Sequence, residues 1–447
     1  MKENFWKTVA AIALPVAIQG LLYSLLNILD QIMVAQKGNA AVVAVGLASK
    51  DFGILNFSLM GLTGGLAILS AQLIGNHKEE KIAKIQGLTL FSGLLLTVIF
   101  MMISLVFPAW NMRLFTADPT VIQLGIQYHR AIALGYLPVL ITMVYSTVLR
   151  NAKIVKLPMY AGMGAVVLNA LLNYLLIFGR FGMPALGLFG SGLATTIAQY
   201  VECILLLAVI FRKKLIGSYH FKSLIGFTKY DADIKLFWLL TLPMLIEELS
   251  FILADTVDNS IYGFMGTKQT VAVTIMGPVQ GLIISFFGGF STAASVLIGT
   301  HLGRNENQVA YQVAKKILVA GSLSPLIVGI LYLSVNSWYL GLYHLPAYSY
   351  QLSQVLMFVM VLILPFKVSN MIITTGILSA GGETKFVLYQ SIFGSWVFAI
   401  PLGLLTAFVF KLPIYCVFLS ISFEEIIRLG LCIWKMTTKT WLNNLIG

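Results

Sequence analysis

Long apolar runs alternate with short polar breaks along the whole chain. Residues 9–36, 41–73, 86–108, 120–148, 158–179, 188–211, 235–264, 269–301, 312–340, 347–379, 386–410 and 412–434 hold few or no charges, between breaks that carry Lys, Arg, Gly or Pro. About 20 apolar residues cross a bilayer core as an α-helix, and a helix satisfies its own backbone hydrogen bonds where there is no water to do so. The pattern predicts twelve transmembrane helices and an all-α polytopic membrane protein. The first run is too long for a secretory signal peptide and has no small-residue cleavage site, so it is expected to remain as the first span.

Composition narrows this further. Of 447 residues, 58% are hydrophobic and 10% charged, against about 25% charged in soluble domains. No soluble fold suits such a chain. The net charge of +12 is a matter of placement. Twenty basic residues fall in one set of connections, among them Lys78, Lys81 and Lys84, then Arg212, Lys213 and Lys214; five fall in the other set, Lys37, Arg113, Arg180, Lys268 and Lys411. Basic loops stay in the cytoplasm, so both termini are expected inside. Spread over seven short segments, these residues form no patch for a nucleic acid. Cys203, Cys416 and Cys432 lie in apolar surroundings and suggest neither a disulfide framework nor a zinc spacing.

The chain also repeats itself. At an offset of 228, residues 14–75 align without a gap to 242–303 and 14 of 62 positions are identical. Pro15 meets Pro243, Asp30 meets Asp258, Gly38 meets Gly266 and Gly75 meets Gly303. The expected domains are an N-terminal six-helix lobe (1–211), a polar cytoplasmic linker (212–234) and a C-terminal six-helix lobe (235–447). Two homologous bundles in the same membrane orientation, around a central cavity, are a transporter architecture that works by alternating access.

Ionisable residues at membrane depth mark function by default. In "LLYSLLNILDQIM" (21–33) the one carboxylate is Asp30. Its apolar setting disfavours the charged form and suits it to carry a proton. Gln19, Tyr23, Asn27 and Asp30 share one helical face, which places Tyr23 and Asn27 beside the expected N-lobe coupling site. The second half carries more acid. Glu247, Glu248, Asp255 and Asp258 fall within an arc of about 100° on one helix, a candidate site for coupling or substrate recognition. A second reading makes Glu247 and Glu248 a wet rim. Lys367, in the tenth span, either neutralises one of these acids or snorkels to the interface.

The motifs that carry the repeat resemble a known family. "ALPVAIQGLLYSLLNILDQIMVAQKG" and "TLPMLIEELSFILADTVDNSIYGFMG" are similar to spans 1 and 7 of the multidrug and toxic compound extrusion (MATE) family. "LSAQLIGNHKEEKI", "VLIGTHLGRNENQVA", the 168–199 passage and "ILSAGGETKF" (377–386) follow in family order. The resemblance implies a V-shaped pair of bundles that exports amphipathic, often cationic compounds in exchange for H⁺ or Na⁺. It places the N-lobe coupling acid at Asp30 and its partners at Asn169, Asn173 and Thr195. Asn173 departs from the family, which carries an acid there. One carboxylate in place of two weakens a Na⁺ site at Asp30, Asn169, Asn173 and Thr195 and suits a proton better.

The chain has no GxxxxGK[ST] loop for ATP and no HExxH. The expectation is therefore a cation-coupled exporter of small drug-like molecules in the cell membrane, a monomer and not an enzyme, with no cofactor and no resident metal. Two alternatives compete with this expectation. A lipid-linked oligosaccharide flippase calls for basic cavity residues, whereas the intramembrane charges here are mostly acidic. A membrane prenyl transferase calls for Asp-rich motifs at loop level, and "DTVD" (255–258) lies mid-span.

Overall fold

The computed structural model describes residues 2–219, 221–224, 232–341, 343 and 345–447. The middle of the expected linker with Lys229, and two of the five histidines, His220 and His344, lie outside the described residues.

Among the described residues eleven helices are long and apolar enough to span a membrane. They are α1 (Phe5–Ala35), α2 (Asn39–Gly75), α3 (Glu79–Val106), α4 (Pro119–Asn151), α5 (Lys156–Phe178), α6 (Gly187–Arg212), α7 (Asp233–Phe264), α8 (Gln269–Gly303), α9 (Asn307–Gly341), α10 (Ala347–Gly381) and α11 (Thr384–Val409). The twelfth expected span is two helices, α12 (Ile414–Ser422) and α13 (Glu424–Thr437), that meet at Phe423. Phe423 keeps helical angles, φ −63° and ψ −21°, so α12 and α13 follow one another with no turn of the chain between them. Several helices start earlier than the apolar pattern does, α3 at Glu79 and α9 at Asn307. Backbone hydrogen bonding continues past the apolar core into polar turns.

Local chemistry sets the helix ends. Asp118 caps α4 by accepting from the backbone N–H of Thr120 at 2.8 Å, with Pro119 in the first turn, where its missing N–H costs nothing. The repeated glycines of the α1–α2 and α7–α8 turns both have positive φ, +104° at Gly38 and +122° at Gly266. Only glycine adopts that backbone without strain, and the same turn is therefore encoded in both halves.

The helices form two compact units. One comprises 21–70 and 78–241; the other comprises 1–20, 71–77 and 242–447. The units follow the sequence halves except that the start of α1 and the end of α2 pack with the C-terminal half. Within that second unit the repeated glycines Gly75 and Gly303 face one another's helices. A Cβ on Gly75 would run into the Thr300 carbonyl, and one on Gly303 into that of Gln72. Small residues of this kind let backbones approach where lipid offers no hydrophobic drive to association.

Candidate functional site

In the first unit, Asp30 of α1 meets an amide pair from α5. Asn173 donates from Nδ2 to Asp30 Oδ1 at 2.5 Å and to Asn169 Oδ1 at 2.8 Å. Asn169 donates in turn to Thr195 Oγ1 at 3.0 Å. With the Asn169 amide turned over, its nitrogen reaches Asp30 at 3.2 Å. Asn169 and Asn173 lie one helical turn apart and are fully buried.

Glycines of α6 bring Thr195 within reach. A Cβ on Gly190 would sit 2.7 Å from the Leu176 carbonyl, and one on Gly192 would sit 2.9 Å from the Tyr128 carbonyl. α6 therefore lies directly against α5 and α4.

Asp30, Asn169, Asn173 and Thr195 thus form one site with a single carboxylate. Tyr23 and Asn27 do not enter it. Tyr23 donates to Glu202 Oε1 of α6 at 2.6 Å, and Arg150 interacts electrostatically with both. Asn27 is exposed on the unit. Helical phase put these residues on the Asp30 face, but their axial offset carries Tyr23 two turns away. Tyr128 of α4 is the residue the sequence did not reveal. It is buried, hydrogen-bonds Ser49 and feels the charge of Asp30. A tyrosine in an amphipathic helix carries no signal that separates it from core mass.

In the second unit the four acids of α7 divide into two groups. Glu247 hydrogen-bonds Ser391 and interacts with Arg428, with Glu248 beside it. Eight to eleven residues further on, Asp255 and Asp258 line a cavity of about 480 Å³ together with Lys367, Glu424, Glu425, Asn259 and Gln280. Lys367 interacts electrostatically with Asp255, Asp258 and Glu424, which puts its ammonium among carboxylates.

α13 supplies what sequence reading missed. Arg428 pairs with Glu424 at 3.8 Å and donates from Nε to Gln390 Oε1 at 3.0 Å. Asn370 donates to Glu425 Oε2 at 2.7 Å. Among the described residues Asp258 Oδ1 is buried with no hydrogen-bond partner, so the cavity presents a free acceptor for a cation or a hydrogen-bond donor, while the neighbouring Glu424 meets Ser395. The signal was present as "EEIIR" in the last span; it was passed over because its partners lie on α7, α10 and α11.

Other charged residues lie outside these two groups. Asp51 of α2 is buried and accepts from Asn111, while the neighbouring Lys50 lies over the Phe115 ring at 5.2 Å. The two do not pair, and α2 continues unbroken through them. Arg130 is exposed, and Glu202 is engaged by Tyr23.

Comparison with known proteins places this geometry in context. The MatE family model matches residues 15–175 and 243–405, two matches that start at the same offset of 228 as the internal repeat. The chain is 25% identical over 399 residues to the "Probable multidrug resistance protein NorM" of Photorhabdus laumondii, covering 88% of this chain and 86% of that protein. It is 26% identical over 421 residues to the "Multidrug and toxin extrusion protein 1" of Xenopus tropicalis, covering 90% and 69%. A crystal structure of MATE in complex with MaL6 superposes with a TM-score of 0.88 at 19% identity, covering 98% of this chain and 96% of that one.

Proposed function

The chain belongs to the MatE family and is a multi-pass membrane transporter, not an enzyme; from that premise we propose that it exports amphipathic, often cationic drug-like compounds in exchange for protons. The similarity to multidrug resistance and extrusion proteins supports the substrate class. The observation that carries proton over sodium coupling is the composition of the Asp30 site. The one carboxylate accepts from the Asn173 amide, which is joined through Asn169 to the Thr195 hydroxyl, and all three of these groups are neutral. A hard cation such as Na⁺ favours several oxygen ligands with balancing negative charge, and Asn173 withholds the second charge.

In this reading a proton neutralises Asp30, and the acid then has a donor to offer Asn173 Oδ1, which is buried and without a hydrogen-bond partner. Coupling requires that the proton bind one conformation more tightly than the other, since a ligand shifts an equilibrium only by its differential affinity. The cavity around Asp258, Glu424 and Lys367 is where a substrate ammonium is recognised. The excess of basic residues in one set of connections supports cytoplasmic termini and export from that side.

The test is efflux from everted vesicles under separately imposed proton and sodium gradients, for the wild type and Asp30→Asn. The expected result is proton-driven efflux that Asp30→Asn abolishes while membrane insertion is kept. Sodium-driven efflux in the wild type, or undiminished proton-driven efflux in Asp30→Asn, would overturn the reading.

A further inference from the structure

The first unit holds a second carboxyl that the Asp30 site does not use. Asp51 is 6% exposed and Asn111, its partner, 4%. Asn111 lies on a short helix, Pro108–Arg113, that follows α3. It donates from Nδ2 to Asp51 Oδ2, while its own Oδ1 is buried without a partner. The same arrangement exists at Asp30, where Asn173 donates to the acid and Asn173 Oδ1 is the orphan.

An ionised carboxylate has nothing to give these oxygens. A protonated one does. Its O–H donates to the amide oxygen while the amide N–H donates to the remaining carboxyl oxygen, and both groups are satisfied at once. A buried acceptor left alone carries its full desolvation cost, and a buried carboxylate with no cation carries more. Among the described residues, Asn111 is the group whose hydrogen bond stabilises the Asp51 charge. The titratable group facing it is Tyr136 of α4, fully buried, whose hydroxyl lies 3.2 Å from Ser104 Oγ of α3. Lys50 on the same helix is turned to Phe115.

The two acids are also linked. Tyr136 interacts electrostatically with Asp51 and with Tyr128, and Tyr128 with Asp30. Electrostatic interaction therefore links Asp51, Tyr136, Tyr128 and Asp30 in turn, across α2, α4 and α1.

We propose that Asp51 with Asn111 is a second proton-binding site of the transport cycle, so that the first unit takes up two protons, one at Asp30 and one at Asp51. The proposal rests on the proton-coupled reading above and adds a consequence for energetics. Exchange of one proton for one monovalent cation moves no net charge, and the membrane potential cannot drive it. A second proton makes the exchange electrogenic, which lets the potential contribute about fifty-fold to substrate accumulation per 100 mV.

Two measurements on the full-length protein test it. Infrared difference spectra between alkaline and acidic pH report the carboxylic-acid C=O stretch directly. The Asp51→Asn spectrum should lose one carboxyl's share of that band, and Asn111→Leu should shift its frequency. In proteoliposomes, a potential imposed without a pH gradient should drive efflux of tetraphenylphosphonium by the wild type, and that component should vanish in Asp51→Asn. Superimposable spectra of wild type and Asp51→Asn, or undiminished potential-driven efflux, overturn the proposal. If Asp51→Asn does not insert, Asp51→Glu should move the band instead of removing it, and an unmoved band overturns the proposal. A wild type that ignores proton gradients would sink the coupling reading, and the spectra would still decide whether Asp51 binds a proton.

Discussion

Asn173 donates a 2.5 Å hydrogen bond to Asp30 across 143 positions of the chain. The two come from α5 and α1, and the contact sets the number of negative charges in the first-unit site at one. Changing that number is the most direct way to ask which ion the site serves.

Asn173→Asp adds a second carboxylate within hydrogen-bonding distance of the first. Two acids so placed repel unless a cation or a proton lies between them. The variant is expected to gain sodium-stimulated efflux that the wild type lacks, measured by titrating Na⁺ at constant pH in vesicles. No response to sodium would mean that the site geometry, not its charge, excludes the ion.

Lys367 shares the cavity of Asp255, Asp258 and Glu424, and on the proposed reading its charge opposes the binding of a substrate ammonium there. Lys367→Gln should tighten binding of a monovalent organic cation by about tenfold, the equivalent of about 1.4 kcal/mol. Equilibrium binding of tetraphenylphosphonium to purified protein reads this directly. Unchanged or weaker binding would separate Lys367 from recognition.

Arg428 is buried among Glu424, Glu425 and Glu247. Removing one partner of a buried ionic group strands the others, at a cost of about 3–5 kcal/mol. Arg428→Leu should therefore unfold at markedly lower temperature in detergent. The sign with pH follows from the stranded groups being carboxylates: protonation relieves them, so the defect should shrink as pH falls. A defect that is constant with pH would point to lost packing instead.

Gln72 is fully buried at the end of α2 and serves three groups at once. It donates to the carbonyls of Ala380 at 2.9 Å and Asn443 at 3.2 Å, and it accepts from the backbone N–H of Leu445 at 2.8 Å. Gln72→Leu keeps the volume and leaves these groups unsatisfied, an expected loss of about 1–3 kcal/mol. Thermal unfolding measures it. Increased protease sensitivity of residues 438–447 should accompany it, because the same side chain holds that segment.

Much of this architecture was legible before any coordinates. Apolar run length predicts the crossings because a bilayer imposes a minimum helix length. At Phe423 the last expected span divides into two helices, a break that apolar run length does not show. The repeat was legible because Pro, Asp and Gly pairs at a constant offset do specific work, and positive φ at both Gly38 and Gly266 shows that work. Asp30 stood out because an acid in an apolar run is costly.

Partnership was not legible. Periodicity gives the angle of a residue round its helix but not which helix faces it, nor at what height. Tyr23 and Asp30 share a face and serve different partners, and the four acids of α7 share an arc and divide into two groups. The pairing of Asp51 with Asn111, of Arg428 with Gln390, and of Gln72 with Leu445 depends on how segments distant in sequence lie against one another. The sequence by itself determined that the chain crosses the membrane as a duplicated set of helices with an acid near the start of each half. Only the tertiary structure decided which neutral or charged group meets each acid, because hydrogen bonds and ion pairs are contacts of a few ångströms that helix packing alone brings about.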